Sequence, residues 1–157
     1  MLAWLPGRIA DRLPTRERDE RALIDRLVHL DEGSASAQRI CEIVAAGLEA
    51  NAIVIEQLPN DFVVVAGAPW QPTLQTLDRL ALEVCFGDAD FTGSGSEFSA
   101  GSDWLFIPIC RRRKVVAAVG LAGRHFRRRF DPVNDAIVRA VKSALEATYA
   151  AEAASGQ

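Results

Sequence analysis

The chain has 157 residues, of which 49% are hydrophobic and 25% are charged, a composition typical of one soluble globular domain with its own core. No apolar run approaches the roughly 18 residues of a membrane-spanning helix, and the first residues lack a signal-peptide pattern, so we expect a cytoplasmic protein. The net charge of −3 is unevenly spread, because eight basic residues and no acidic residue lie between Arg111 and Arg129, which leaves −11 for the rest.

The first half of the chain predicts two helices followed by two strands. Residues 1–15 contain Pro6, Gly7 and Pro14 and are expected to form an N-terminal extension. Amphipathic periodicity predicts helices from about 16 to 30 and from about 36 to 50. Strands are predicted at 52–58 and 62–66, joined by the turn Pro59-Asn60-Asp61.

The second half predicts a helix, a long loop, a hairpin and a last helix. A helix at 73–86 precedes a Gly- and Ser-rich loop at 87–103, whose length is typical of functional or disordered segments. Two apolar runs, 104–109 and 115–123, flank a basic turn and predict a β-hairpin. Asp131-Pro132 predicts the start of the last helix, with Asp131 as its N-cap, and 151–157 is expected to be a disordered tail.

The second hairpin strand has two different faces. One carries Val115, Ala117, Val119 and Leu121, and the other carries Val116, Ala118, Gly120 and Ala122. The smaller residues allow a helix or a ligand to approach the sheet closely. The order of elements predicts an α+β fold (an α/β sandwich) over residues 16–150, in which an antiparallel sheet carries the terminal helices on one face and a lid of loop and helix on the other.

Four features in chain order form a pattern. They are a charged helix at 16–21, a helix-to-strand passage at 40–56, the loop Gly93–Ser96, and the run Ser102–Ile109 followed by Val115–Leu121. From about Arg8 onwards, this pattern resembles the GAF-like region of KdpD-type potassium-sensor histidine kinases. The resemblance implies a GAF-like sensory domain of bacterial signal transduction, with a tendency to dimerise through its terminal helices. It does not imply kinase activity, because His29 and His125 lack the neighbouring Glu and Pro of a phosphoacceptor motif.

The long loop and its neighbours are the candidate small-ligand site. Aromatic side chains with a few hydroxyl groups are the usual composition of such sites. The candidate residues are Cys85, Phe86, Phe91, Thr92, Ser94, Ser96, Phe98, Trp104 and Phe106. The alternative is that the aromatic side chains fill their own cleft and the hydroxyl groups satisfy turn amides, which would leave a ligand-free interaction module.

The terminal helices are the candidate dimer interface, because their apolar stripes exceed what one sheet face needs. The predicted seam consists of Leu23, Leu27, Leu30, Ile137, Val141 and Leu145. We expect a homodimer that binds a small molecule or a signalling protein.

The basic cluster is the second candidate interaction surface. Its members are Arg111, Arg112, Arg113, Lys114, Arg127, Arg128 and Arg129. A solvated face, a contact to an acidic protein partner and an anion site all remain open. Nucleic acid is not favoured, because the chain shows neither a groove-fitting helix nor an aromatic stacking platform.

Catalysis is not expected. Some GAF-fold proteins reduce methionine sulfoxide with three cysteines, but the surroundings of Cys41, Cys85 and Cys110 show none of the motifs of those enzymes. The three cysteines form no CxxC pair, and the chain has only two histidines, so we predict neither a metal site nor a cofactor. A thiol-dependent reductase therefore remains the less favoured alternative.

Overall fold

The computed structural model describes residues 15–30, 35–94, 96, 102–127 and 131–155. Its elements are α1 (Thr15–Val28), α2 (Ala37–Leu48), β1 (Asn51–Gln57), β2 (Phe62–Ala68), α3 (Thr76–Asp88), β3 (Thr92–Gly93), β4 (Leu105–Arg111), β5 (Lys114–Ala122), α4 (Arg124–Arg127) and α5 (Ala136–Ser155). Among these elements, no helix combines the length and apolar character needed to cross a bilayer.

The strands form one antiparallel sheet in the order β2-β1-β5-β4-β3. The predicted hairpin is β4-β5, at the centre of the sheet. Its second strand contains one extra residue, Val116, because Ile109 pairs with Ala117 while Cys110 pairs with Val115. Val116 therefore packs partly against the core on the opposite face from the one that simple alternation predicts.

The terminal helices cover one face of the sheet, which we call the helix face. Buried side chains of α1, α2 and α5 pack there on alternate residues of the strands, including Val54, Ile107 and Val119. The N-terminus of α2 is fixed by Ser36, whose Oγ accepts a hydrogen bond from the Arg39 amide at 3.1 Å. This arrangement confirms the predicted α+β sandwich.

Helix α3 covers the opposite face, which we call the α3 face. Ala81, Leu82 and Cys85 pack on Ile53 and Phe106. Gly120 makes this packing possible, because a Cβ atom there would lie 3.0 Å from both the Ile53 and Phe106 side chains. The predicted face of small residues is therefore covered by a helix and an aromatic ring.

The last helix begins and ends later than predicted. Asp131 forms a turn by accepting from the Val133 amide, whereas Asp135 is the N-cap and accepts from the amides of Ile137 and Val138, each at 3.0 Å. At the other end, α5 runs to Ser155, into the segment expected to be disordered. Alanine dominates that segment, and it has the highest helix propensity of any residue.

Candidate functional site

The structure places the described aromatic residues of the predicted ligand site in two different cores. Cys85, Trp104 and Phe106 are buried in the core of the α3 face, with Phe86 packed beside them. Phe91 packs instead against the core of the helix face. Phe98 lies outside the described residues. The aromatic side chains thus belong to two cores, and the binding site remains a prediction.

The hydroxyl groups of this region bond to backbone carbonyls. Thr92 donates to the Ala81 carbonyl at 2.8 Å, Ser94 to the Phe126 carbonyl at 3.3 Å, and Ser96 to the Gly93 carbonyl at 2.8 Å. These bonds join β3 to α3 on one side and to α4 on the other. A ligand here would have to displace aromatic side chains or compete for these hydroxyl groups.

A buried polar link not predicted from the sequence joins α3 to the segment just before β4. Ser102 donates from Oγ to Asp78 Oδ1 at 2.7 Å and accepts from the Trp104 amide at 3.1 Å. Asp78 Oδ2 accepts from the Gln75 amide at 2.8 Å, which completes a capping box at the N-terminus of α3. The spacing Gln75-x-x-Asp78 indicates the capping box from the sequence alone. Ser102 is distant in the sequence, and only the fold brings it to Asp78.

The predicted dimer seam lies mostly inside the protomer. Leu23, Leu27, Ile137, Val141 and Leu145 are each at most 4% exposed and belong to the core of the helix face, and Leu30 is partly buried. The five buried side chains are therefore occupied by the protomer's own sheet and helices. Their apolar periodicity indicates a buried face, and the fold supplies the partner for it.

The same helices leave a different apolar surface exposed, which we call the terminal groove. It is a cavity of about 1010 Å³ between α1 and α5. Val28, which is 65% exposed, lines it from α1, and Ala140, Ala144 and Ala147 line it from α5. The small side chains of α5 would let another helix approach closely.

The basic hairpin turn has a strained backbone. Arg112 and Arg113 have φ values of 52° and 66°, in the left-handed region that favours Asn or Gly. Arg111, Arg112 and Lys114 line a cavity of about 590 Å³ with Gln57, and in the described part of the chain none of these cations makes an ion pair. The side chain of Arg127, and all of Arg128 and Arg129, lie outside the description.

A buried histidine connects the two terminal helices, and its neighbours were not among the predicted residues. His125 is 5% exposed, with Nδ1 3.2 Å from Glu20 Oε1 on α1 and Nε2 3.0 Å from Asp135 Oδ2 at the start of α5. Burial raises the pKa of Asp135, but the hydrogen bonds from His125 and from two backbone amides outweigh it, so the pKa is lowered. The Asp135 carboxylate therefore stays charged at neutral pH.

Burial disfavours the thiolate form of two of the three thiols. Burial raises the pKa of Cys41 and the pKa of Cys85 to about 12 each, and a neighbouring carboxylate, Glu42, adds to the effect at Cys41. Cys110 is partly exposed. Within the described residues, no group of three His, Cys, Asp or Glu side chains is placed to hold a metal ion.

No protein-family model and no curated protein matches the chain. Solved structures do. The GAF domain of the potassium sensor histidine kinase KdpD from Escherichia coli is similar with a TM-score of 0.56 and 16% identity, over 88% of this chain and 98% of that one. The GAF domain of an Acinetobacter phosphoenolpyruvate-protein phosphotransferase is similar with a TM-score of 0.58 and 14% identity, over 92% and 98%.

A third similar structure is fRMsr of Staphylococcus aureus, determined in complex with its substrate. Its TM-score is 0.58 at 11% identity, over 82% of this chain and 94% of that one. At these identities the likeness establishes the fold alone. The chain has a GAF-like fold, as its resemblance to the KdpD region implied.

Proposed function

We propose that this chain is a non-catalytic sensory or regulatory domain of bacterial signal transduction, acting in the cytoplasm as a homodimer. The GAF-like fold supports this, since one similar structure belongs to a sensor histidine kinase. The observation that carries the proposal is the terminal groove, an apolar surface on the two helices that would connect such a domain to its neighbours.

The dimer forms through the terminal groove rather than through the buried seam. Val28 of each protomer packs against the alanine face of its partner's α5, because small residues allow helices to approach closely. Isologous pairing of this kind closes the assembly at two chains. The result is a four-helix arrangement that responds to movement of α1 against α5.

A polar path links the segment around β3 that carries Thr92, Ser94 and Ser96, which we call the lid, to these helices. Ser94 of the lid binds the Phe126 carbonyl in α4, and the neighbouring His125 contacts Glu20 of α1 and Asp135 of α5. A small ligand bound among the lid residues would shift α4 and bias the spacing of the terminal helices. The mechanism is a shift of population between two arrangements.

Sedimentation velocity with matched variants tests the dimer. The wild-type chain should sediment as a dimer, and Val28→Glu or Ala147→Glu should sediment as a monomer with an unchanged circular dichroism spectrum. Leu80→Glu is the control, because Leu80 is also exposed but lies on α3. A wild-type monomer, or a dimer that survives both groove variants, would contradict the proposal.

Ligand binding at the lid is tested separately by native mass spectrometry and thermal shift with a metabolite library. A ligand that binds should raise the Tm of the wild-type chain, and Ser102→Ala should weaken the response by loosening the link between α3 and β4. The filled α3 face supports the alternative, a ligand-free interaction module. Absence of bound mass and of any Tm shift would favour that alternative.

A thiol-dependent reductase is the second alternative, supported by the similarity to fRMsr. The raised thiol pKa values of Cys41 and Cys85 oppose it, because a nucleophilic cysteine needs an accessible thiolate. Incubation with methionine sulfoxide should therefore leave all three thiols reduced. Oxidation that depends on the sulfoxide would revive the alternative.

A further inference from the structure

The turn of the β4-β5 hairpin has residues that its backbone geometry disfavours. Arg111 ends β4, Lys114 begins β5, and Arg112 and Arg113 form the two-residue loop between them. Both loop residues have positive φ angles, 52° and 66°, which is the pattern of a type I′ turn. Asn and Gly adopt these angles with little strain, whereas other side chains are disfavoured there. The two arginines therefore occupy the loop at a conformational cost.

The same turn has a second, electrostatic cost. Arg111 pairs directly with Lys114 in the register of the two strands. Directly opposed residues of an antiparallel pair project from the same face with neighbouring Cβ atoms, so two cations in these positions repel each other. Residues that break local rules in this way are expected at functional sites. An anion between the two side chains would turn the repulsion into attraction.

The carboxylates bonded close to this turn have other partners. Glu146 accepts from the Cys110 amide at 2.8 Å and lies 3.6 Å from the Lys142 ammonium group. Glu56, near the end of β1, accepts from the Tyr149 hydroxyl at 2.6 Å. Within the described residues, none of the four cations of the turn makes an ion pair. The positive charge of the turn is therefore available to an anion from solution.

Three of the four cations line one cavity, of about 590 Å³, beside the turn and the end of β1. Its described lining consists of three cations, one side-chain amide and two valines, namely Arg111, Arg112, Lys114, Gln57, Val115 and Val116. None of these lining residues is acidic, and each of the four polar side chains can donate hydrogen bonds. The cavity thus presents converging donors and a positive charge in a concave space, which suits a small anion.

We propose that this cavity binds a soluble compound with two linked phosphate groups, a diphosphate. Guanidinium groups match phosphate oxygens through paired N–H donors, and the lysine ammonium group adds a point charge. Two linked phosphate groups can contact the opposed pair Arg111 and Lys114 and also Arg112 of the loop. A concave site favours a small soluble anion over the broad surface of a membrane. The proposal rests on neither dimerisation nor the lid.

Isothermal titration calorimetry with inorganic pyrophosphate at low ionic strength tests the proposal. The wild-type chain should bind pyrophosphate saturably with a Kd of about 1 mM or tighter. The double variant Arg111→Gln, Lys114→Gln should weaken binding at least about tenfold, because two charged hydrogen-bond donors are lost. The matched control Arg18→Gln, Arg21→Gln makes the same change in net charge at exposed residues of α1 and should leave the affinity unchanged. Absence of saturable binding, or an equal loss in both double variants, would overturn the proposal.

The single variant Lys114→Gln separates ligand recognition from fold stability. Removing one of two opposed cations should preserve or raise the Tm of the free chain while it weakens pyrophosphate binding. Full affinity in this variant would contradict the proposed contact. Vesicles of phosphatidylcholine with phosphatidylglycerol test the other source of phosphate groups. Binding to these vesicles without binding of pyrophosphate would overturn the proposal in favour of a membrane surface.

Discussion

The two faces of the sheet use the same β4-β5 hairpin in different ways. On the helix face, three helices bury alternate strand residues and still leave the apolar terminal groove on the outside. On the α3 face, one helix packs on the sheet and the side chains of Ile53 and Phe106 fill the space above Gly120. The difference is that the helices of the helix face form an apolar groove on their outer side, whereas the space above the α3 face is filled by the chain's own side chains.

The contrast also bears on how the domain would signal. A face filled by its own aromatic side chains admits a ligand only after those side chains move, whereas the residues that the structure describes leave the terminal groove open. We therefore expect assembly to be the resting property of the domain and ligand response to be conditional on movement of the lid.

The largest expected effect comes from emptying the filled face. Phe106→Ala should lower the free energy of unfolding by about 3–5 kcal/mol, because a fully buried ring is lost and a cavity remains. Urea unfolding followed by circular dichroism measures the loss, and Leu80→Ala on the exposed side of α3 should change it by less than about 0.5 kcal/mol. A small loss at Phe106 would mean that the face is loosely packed and open to ligands.

A smaller effect is expected at the N-terminus of α5, one of the helices of the helix face. Asp135→Ala removes the N-cap of α5 and one partner of His125, and should lower the free energy of unfolding by about 2 kcal/mol at neutral pH. Because the folded-state pKa of Asp135 is lowered, its stabilisation is present at neutral pH and is lost as the pH falls through that value. The free energy of unfolding of the variant should therefore fall less with decreasing pH than that of the wild type.

Asp131→Ala is the control, since Asp131 is the cap that the sequence predicts and the structure places it in a turn. It should lower the free energy of unfolding at neutral pH by less than Asp135→Ala does. A larger loss of stability in Asp131→Ala than in Asp135→Ala would mean that α5 begins closer to residue 131 than the structure has it.

The smallest effect is a gain in stability at the turn of the hairpin that both faces share. The double variant Arg112→Asn, Arg113→Gly should raise the free energy of unfolding by about 1 kcal/mol, because these residues accept positive φ angles with less strain. Thermal unfolding measures the gain. The same variant removes two cations, so it should weaken binding of inorganic pyrophosphate if the turn is an anion site; unchanged binding would favour a solvated surface.

The hairpin was the most predictable part of the molecule. Its two apolar runs and basic turn are local signals, and alternation placed Ala117, Val119 and Leu121 together on one face as the structure has them. The candidate ligand site was less predictable: Phe91 and Phe106 are both aromatic residues near the long loop, yet they pack in different cores. Composition identifies such residues, but it does not tell which face of the sheet each one packs on when a loop separates them.

By itself, the sequence determined the order of elements, the antiparallel hairpin and the amphipathic character of the terminal helices, because each depends on periodicity within a few residues. The tertiary structure decided what those helices face. Leu23 and Ile137 have the pattern of an interface, but the sheet of the same chain covers them, and Val28 and Ala147 are left outside. Periodicity defines a buried face, whereas the three-dimensional packing of distant segments determines whether the chain buries it alone or with a partner.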